Sequence, residues 1–191
     1  PSYTALGMAS LLPHQKLAYS TKGDVLVDGQ STASFEQRNA ILEKVGGIAL
    51  RAKELMALKK EEGRERIGDR RVVYIYHDEI DARGDKAATE SSTFDAVDKA
   101  LRELSDLVAY VVNSLSGNYV LVTADHGFLF TETAPNEADK SPLADPPGTV
   151  IAKKRYLLGH GLPTHADVWR GETATTAQAE GEMEFWIPKG A

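Results

Sequence analysis

The 191-residue sequence contains no cysteine. This absence excludes disulfide bridges and every metal site that uses thiolate ligands. Any bound metal ion must therefore be held by carboxylate, imidazole or other oxygen and nitrogen donors. The absence also fits a protein that works in a reducing compartment.

Long apolar runs are absent as well. No run approaches the roughly 20 residues that a membrane-spanning helix needs. Residues 1–15 lack both the basic start and the cleavage pattern of a secretory signal. The sequence therefore predicts a soluble, cytoplasmic protein with no membrane partner.

Positive charge is in deficit, with 22 Lys and Arg against 28 Asp and Glu and a net charge of −6. Bulk electrostatics consequently give no attraction to nucleic acid or to an anionic membrane, although a local basic patch stays compatible with this balance. The hydrophobic fraction of 42% and the charged fraction of 26% are typical of one globular domain.

The spacing of apolar residues predicts the first elements. Residues 4–12 (TALGMASLL) place apolar side chains at helical spacing. Residues 24–29 form a short β-branched run that ends with an Asp-Gly turn signal. Residues 35–62 repeat apolar side chains mostly every three or four positions, which predicts one amphipathic helix weakened at Gly46 and Gly47.

The middle of the sequence predicts a strand, a long helix and a second strand. Residues 71–77 and 119–123 are β-branched and aromatic runs, typical of strands buried on both faces. Between them an amphipathic helix extends to residue 115, with Ser92 or Thr93 as its cap. This order predicts a βαβ unit and hence a parallel sheet. Such sheets bind ligands beyond the carboxyl ends of their strands.

Polar side chains follow both predicted strands. Asp81 and Asp85 come after the first, and Asp125 and His126 come after the second, so we expect both pairs at the same edge of one sheet. Gly127 would let Asp125 and His126 turn toward one centre. Carboxylates and imidazoles without thiolates suit zinc or manganese. Taken alone, Asp-His-Gly is more often a capped turn with a surface histidine.

Four stretches together resemble a known family. They are PSYTALGMASLLP (1–13), YHDEIDARGDKAATE (76–90), VLVTADHGFLF (120–130) and EFWIPKGA (184–191). The sequence resembles the PglZ family, a branch of the alkaline phosphatase superfamily found in bacterial phage-defence systems of the BREX type. The resemblance spans nearly the whole chain and depends mainly on IDARGD joined to TADHGF.

The resemblance implies an alkaline phosphatase-like fold, with three α/β/α layers around a mostly parallel sheet. It also implies a metal-dependent phosphoester hydrolase of the phosphatase or phosphodiesterase type, which acts in phage defence through a Thr nucleophile and two divalent metal ions. The substrate would be a phosphomonoester or a phosphodiester, with nucleotides and nucleic acid among the possibilities. Other defence-system proteins would be its partners.

The resemblance assigns the nucleophile and one pair of ligands. Thr4 falls at the nucleophile position, with Ser2 as the alternative. Without the resemblance, Thr4 is most simply the cap of the helix that begins beside it. Asp125 and His126 would bind the metal ion that activates the nucleophile.

The companion metal ion would be held by Asp81 and Asp85. Relatives usually have His at the position of Asp85, and this harder ligand favours manganese or magnesium over zinc, which is otherwise the expected metal. His160, in LLGHGL, would complete the second site, with His165 and His77 as alternatives.

Relatives also carry an Asp ligand at the end of a first strand that would precede residue 1. Residues 1–191 are therefore interpreted as a partial PglZ domain in which the N-terminal strand with that ligand is missing. On this interpretation the isolated chain is expected to bind metal poorly and to be nearly inactive. A competing hypothesis is a catalytically silent phosphatase-fold scaffold that binds partners in a defence complex.

Overall fold

The structure, a computed structural model, describes residues 3–84, 93–127, 143–153 and 155–190. The chain divides into two compact units: a terminal unit, Pro1–Arg38 with Ala124–Ala191, and a middle unit, Asn39–Thr123. The helices are α1 (Thr4–Ser10), α2 (Phe35–Glu43), α3 (Ala52–Met56), α4 (Lys60–Ile67), α5 (Glu79–Gly84), α6 (Thr93–Leu115) and α7 (Thr173–Ala177). The strands are β1 (Leu17–Tyr19), β2 (Val25–Val27), β3 (Gln30–Ser31), β4 (Gly47–Arg51), β5 (Val72–Tyr76), β6 (Thr149–Lys153), β7 (Tyr156–Gly159), β8 (Val168–Glu172), β9 (Ala179–Glu180) and β10 (Glu184–Pro188).

The terminal unit contains two four-stranded sheets. In the first, with the order β3-β2-β1-β9, β1 pairs antiparallel with β2 and parallel with β9. The second, with the order β6-β7-β10-β8, is antiparallel throughout. Its buried cluster consists of Leu157, Leu162, Val168 and Trp186.

The predicted strand at residues 24–29 is confirmed as β2. Asp28 and Gly29 form the turn after it, with φ of 48° and 80°. Two central residues at positive φ are what a two-residue type I′ hairpin requires, because the twist of that turn matches the twist of the strands. The Asp-Gly signal therefore fixes the β2–β3 hairpin.

The middle unit contains the parallel pair β4 and β5, with Gly47 opposite Val72 and Arg51 opposite Tyr76. Helices α3 and α4 connect the two strands. The predicted long helix is confirmed as α6, and its apolar stripe contributes to the buried cluster of this unit. That cluster consists of Ile48, Leu50, Ala52, Leu55, Leu107 and Leu115.

The prediction of one helix over residues 35–62 is wrong. The segment forms α2, β4 and α3, and a further helix, α4, begins at Lys60. Gly46 has a φ of 73° and ends α2, because glycine reaches this left-handed region without steric cost. A Cβ on Gly47 would lie 2.7 Å from Val72 Cγ1. The two glycines therefore stop the helix and admit the neighbouring strand.

The prediction of a buried strand over residues 119–123 is also wrong. This segment has no regular secondary structure, and Tyr119, Leu121 and Val122 are 87%, 74% and 58% exposed. A strand exists only through pairing with a neighbour, and no described strand pairs with this one. The parallel connection that the sequence predicted is present, but it joins β4 to β5.

The mixed α/β class is confirmed. Three layers around a mostly parallel sheet are not confirmed, since the described strands form three separate sheets and one is antiparallel throughout. Within the described ranges, no helix is both long enough and apolar enough to cross a bilayer.

Leu55 provides a test of the middle-unit core. It is 1% exposed, so Leu55→Ala should lower the free energy of unfolding by about 2–5 kcal/mol through lost burial and a residual cavity. Leu101→Ala is the matched control, because Leu101 is 61% exposed on α6 and its truncation should change stability by less than about 0.5 kcal/mol. Urea unfolding followed by circular dichroism measures both, and equal effects would contradict the described core.

Candidate active site

Thr4 is the first residue of α1, and its hydroxyl does not cap the helix. The N-cap is Tyr3, whose backbone is extended with φ −121° and ψ 165° and whose side chain forms no capping hydrogen bond. The Thr4 hydroxyl oxygen instead lies 2.9 Å from His126 Nε2. The simplest alternative for Thr4, a helix cap, is therefore wrong. Thr4 is exposed, so its hydroxyl is open to a substrate.

The second ring nitrogen of His126 determines the direction of that hydrogen bond. His126 Nδ1 lies 2.9 Å from the carbonyl oxygen of Gly127. A carbonyl oxygen can only accept, so Nδ1 must carry a proton. In the neutral ring, Nε2 then has a lone pair, and the Thr4 hydroxyl donates to it.

The Asp125 carboxylate lies next to the same nitrogen of His126. Its Oδ2 lies 3.4 Å from His126 Nε2, and the His126 and Asp125 side chains are only 23% and 19% exposed. The Thr4 proton is directed at His126 Nε2, so it does not lie between Nε2 and the carboxylate. A carboxylate facing an imidazole lone pair is repulsive unless a proton or a cation lies between them. The Thr4 hydroxyl oxygen, the Asp125 carboxylate oxygen and His126 Nε2 are ligand types that fit one side of a zinc or manganese site.

Gly7 allows α1 to approach the segment that carries Asp125. It lies three residues after Thr4, on the same face of the helix. A Cβ on Gly7 would lie 2.1 Å from the carbonyl oxygen of Asp125, so any other residue would push the two segments apart. A Cβ on Gly127, by contrast, would meet no described atom within 4 Å. The need for glycine therefore falls on Gly7, which the sequence analysis missed.

Three tyrosines hold the start of α1. The ring of Tyr3 stacks on Tyr156 with centroids 4.9 Å apart, and its hydroxyl donates to the Tyr19 hydroxyl at 3.4 Å. Burial raises the pKa of Tyr3 well above its usual range, so the phenol stays neutral. The sequence gives no signal for this cluster, because its members come from the N-cap of α1, from β1 and from β7. The cluster fixes the residue that precedes Thr4.

The other predicted ligands lie elsewhere or outside the described residues. Asp81 is exposed in the first turn of α5, which belongs to the middle unit. Asp85 lies outside the described residues. His160 is exposed after β7, and its Nδ1 lies 3.1 Å from the carbonyl oxygen of Glu182. It borders a cavity of about 360 Å³.

The alternative residues have structural contacts of their own. His77 Nε2 lies 2.8 Å from Glu103 Oε2. His165 Nδ1 accepts from the backbone N–H of Asp167 at 3.2 Å. Ser2 lies outside the described residues.

The described side chains do not form a complete metal site. Across residues 3–84, 93–127, 143–153 and 155–190, no group of three or more His, Asp or Glu side chains is placed to hold a metal ion. Asp125, His126 and the Thr4 hydroxyl therefore fit part of one site, and further ligands have to come from other residues. The two-metal centre stays a prediction.

Comparison with known proteins decides the family. Residues 1–191 match the family described as "BREX system PglZ alkaline phosphatase-like domain". The chain belongs to the PglZ family. The resemblance expected from IDARGD and TADHGF is thereby confirmed.

Two relatives of this PglZ chain are curated. "Alkaline phosphatase-like protein BrxZ" of Escherichia coli O9:H4 (strain HS) is 48% identical over 193 residues, which cover 100% of this chain and 22% of that protein. "Alkaline phosphatase-like protein PglZ" of Bacillus cereus (strain H3081.97) is 38% identical over 201 residues, which cover 95% of this chain and 24% of that protein. The PglZ chain thus spans less than a quarter of the length of the curated relatives it matches. No solved structure matches it.

Gly7→Ala tests the close approach to Asp125. Helix propensity alone would make this change stabilising by about 1 kcal/mol. The 2.1 Å overlap with the Asp125 carbonyl should outweigh that gain, so we expect a net loss of about 1–3 kcal/mol in the free energy of unfolding. Amide hydrogen exchange in residues 124–127 should become faster.

Ala5→Gly is the control for this prediction. Ala5 is exposed on the same helix, so the change should cost about 1 kcal/mol of helix propensity without altering exchange in residues 124–127. Chemical unfolding and hydrogen exchange with mass spectrometry measure both variants. A stabilised Gly7→Ala protein would show that α1 and Asp125 are not in this contact.

Proposed function

We propose that this PglZ chain forms part of a metal-dependent phosphoester hydrolase in which Thr4 is the nucleophile. The observation that supports it most directly is the 2.9 Å contact between the Thr4 hydroxyl and His126 Nε2, next to the Asp125 carboxylate. The alkaline phosphatase-like description of the family agrees with this chemistry. The fold expected with it, three layers around a mostly parallel sheet, stays a prediction.

The chemistry of the chain's own residues begins with the Thr4 proton. A hydroxyl is a weak nucleophile until a neighbouring base accepts its proton, and His126 Nε2 is the base within reach. The Nδ1 proton, directed at the Gly127 carbonyl, keeps the ring in the orientation that presents Nε2. The contact between Thr4 and His126 therefore supports His126 as the base that activates Thr4 when no cation occupies Nε2.

Phosphoryl transfer then follows in two displacements. The Thr4 oxygen forms a bond to phosphorus while the bond from phosphorus to the leaving alcohol breaks, and that alcohol takes up a proton. Water next attacks the phosphothreonine, which releases Thr4 and the phosphate product. The Thr4 hydroxyl is regenerated with its proton.

Asp125 and His126 would hold one divalent cation, and Asp81, Asp85 and His160 would hold its companion. When bound, such cations stabilise the negative charge that develops on the phosphoryl oxygens. The single lone pair of His126 Nε2 can serve either the Thr4 proton or a cation, so with a cation held there His126 would be a ligand and Asp125 or solvent would take the Thr4 proton in its place. Zinc is the first expectation, and the carboxylate of Asp85 makes manganese or magnesium the alternatives.

The biological setting is proposed from the family. Its description places the domain in BREX systems, so we propose a role in phage defence with other proteins of the same system as partners. The substrate is a phosphomonoester or phosphodiester, with nucleotides and nucleic acid as candidates. The cytoplasmic location expected from the sequence also stays a prediction.

A catalytically silent scaffold is the second candidate function. The observation in its favour is that the described residues contain no group of three metal-binding side chains. A scaffold would keep the fold and the partners while losing the metal. It therefore predicts no hydrolysis and no metal binding in the protein at its natural length.

Three substitutions test the proposed enzyme. In the protein at its natural length, Thr4→Ala, Asp125→Ala and His126→Ala should each lower hydrolysis of p-nitrophenyl phosphate or bis-p-nitrophenyl phosphate by at least about 100-fold. Rates are measured with zinc, manganese and magnesium. Circular dichroism checks folding, which should survive because these side chains lie outside the buried clusters.

Thr164→Ala is the matched control, since Thr164 is an exposed loop threonine. Its rate should equal that of the unaltered protein. An unaltered protein that binds no metal and hydrolyses neither ester would favour the scaffold. Full activity in Thr4→Ala would show that Thr4 is not the nucleophile. The assignment of the metal ligands would then depend on Asp125→Ala and His126→Ala.

A further inference from the structure

Four charged or ionisable side chains of the middle unit form a continuous ladder. His77 Nε2 lies 2.8 Å from Glu103 Oε2, and Glu103 Oε1 lies 3.3 Å from Lys99 Nζ. Lys99 Nζ also lies 2.8 Å from Glu79 Oε1. We name His77, Glu103, Lys99 and Glu79 the charge ladder. It connects the end of β5 and the start of α5 to two successive turns of α6.

Lys99 is the member on which the ladder depends. The Glu79 side chain is only 9% exposed, and a buried carboxylate requires a close partner of opposite charge. Lys99 supplies that partner, while the ammonium group of Lys53 is more distant, at 3.8 Å. Pairing raises the pKa of Lys99 above its ordinary value, with the hydrogen bond to Glu79 as the largest cause.

The burial of Glu79 determines which face of α5 carries Asp81. Each helical residue advances the side-chain direction by about 100°, so Asp81 lies on nearly the opposite face of α5 from Glu79. The burial agrees, since Glu79 is buried and Asp81 is exposed. Fixing Glu79 on α6 therefore keeps Asp81 on the exposed face of α5.

We propose that Lys99 is a positioning residue for Asp81. By pairing with Glu79 and Glu103, it holds the first turn of α5 in one rotation and presents the Asp81 carboxylate in advance of metal binding. This inference rests on the proposed function, in which Asp81 binds the companion metal ion. Lys99 acts through Glu79, Glu103 and α5, and not on a reacting group.

The test compares two substitutions at Lys99 in the protein at its natural length. Lys99→Met should weaken binding of one equivalent of zinc by about 10- to 100-fold, as expected for a group that orients a ligand. Amides of residues 79–84 should exchange faster in the absence of metal. Lys99→Arg keeps the charge and should restore both properties. Calorimetry and hydrogen exchange with mass spectrometry provide the two readouts.

Two further variants keep the test decisive. Arg102→Met removes a cation from an exposed position of the same helix and should change neither readout. The double variant Glu79→Gln with Lys99→Met removes the buried carboxylate together with its nearest cation, so it should fold even where Lys99→Met alone does not. The affinity of the double variant for that one equivalent of zinc should still be lower than the affinity of the unaltered protein. Unaltered zinc binding in the double variant would overturn the proposal.

Asp81→Ala separates this inference from the proposed function. If Asp81→Ala loses one equivalent of zinc while the Lys99 variants bind normally, the positioning role fails and the ligand assignment stands. If Asp81→Ala binds zinc as the unaltered protein does, the assignment of Asp81 as a ligand fails and the inference fails with it. Loss of the same equivalent in Asp81→Ala and weakening in Lys99→Met would support both.

Discussion

The arrangement of the candidate site depends on the distance between the backbone of α1 and the backbone at Asp125. Gly7 permits this distance, since a Cβ there would lie 2.1 Å from a carbonyl oxygen that cannot move without its peptide. The Thr4 hydroxyl then reaches His126, and His126 is oriented in turn by the Gly127 carbonyl. These two polar contacts are exposed to solvent. Their precision comes from steric contact between backbones, with the stacking of Tyr3 on Tyr156 as a second support.

Local periodicity predicted those elements whose sequence allows one interpretation. The stripe of α6 and the β-branched run of β5 each allow one interpretation, and both elements form, although β5 is half-buried and not buried on both faces. Residues 47–51 also continue the apolar spacing of the preceding helix, so only Gly46 and Gly47 indicate that a helix ends there. Residues 119–123 have strand composition, yet composition specifies no partner. Pairing across the sheet is a long-range property that spacing does not encode.

The residues of the candidate site also differ in whether adjacent sequence or long-range contacts reveal them. Asp125 and His126 were identified because a motif of adjacent residues carries their chemistry, and Thr4 was identified through the family resemblance. Gly7 and the tyrosine cluster were not found, since their roles appear only when segments far apart in sequence come together. A glycine three residues after a candidate nucleophile, on the same helical face, is a signal that could have indicated the first of them.

The division of the chain also sets an order of events during synthesis. The middle unit is one continuous stretch, Asn39–Thr123, whereas the terminal unit needs both Pro1–Arg38 and Ala124–Ala191. Because translation adds about 5–20 residues per second, Thr4 waits on the order of 10 s before His126 has been made. During that interval α1 cannot make its contact with Asp125, and the buried face of the helix is available to chaperones or to incorrect partners. The ribosome therefore completes a whole folding unit before the two sides of the candidate site can meet.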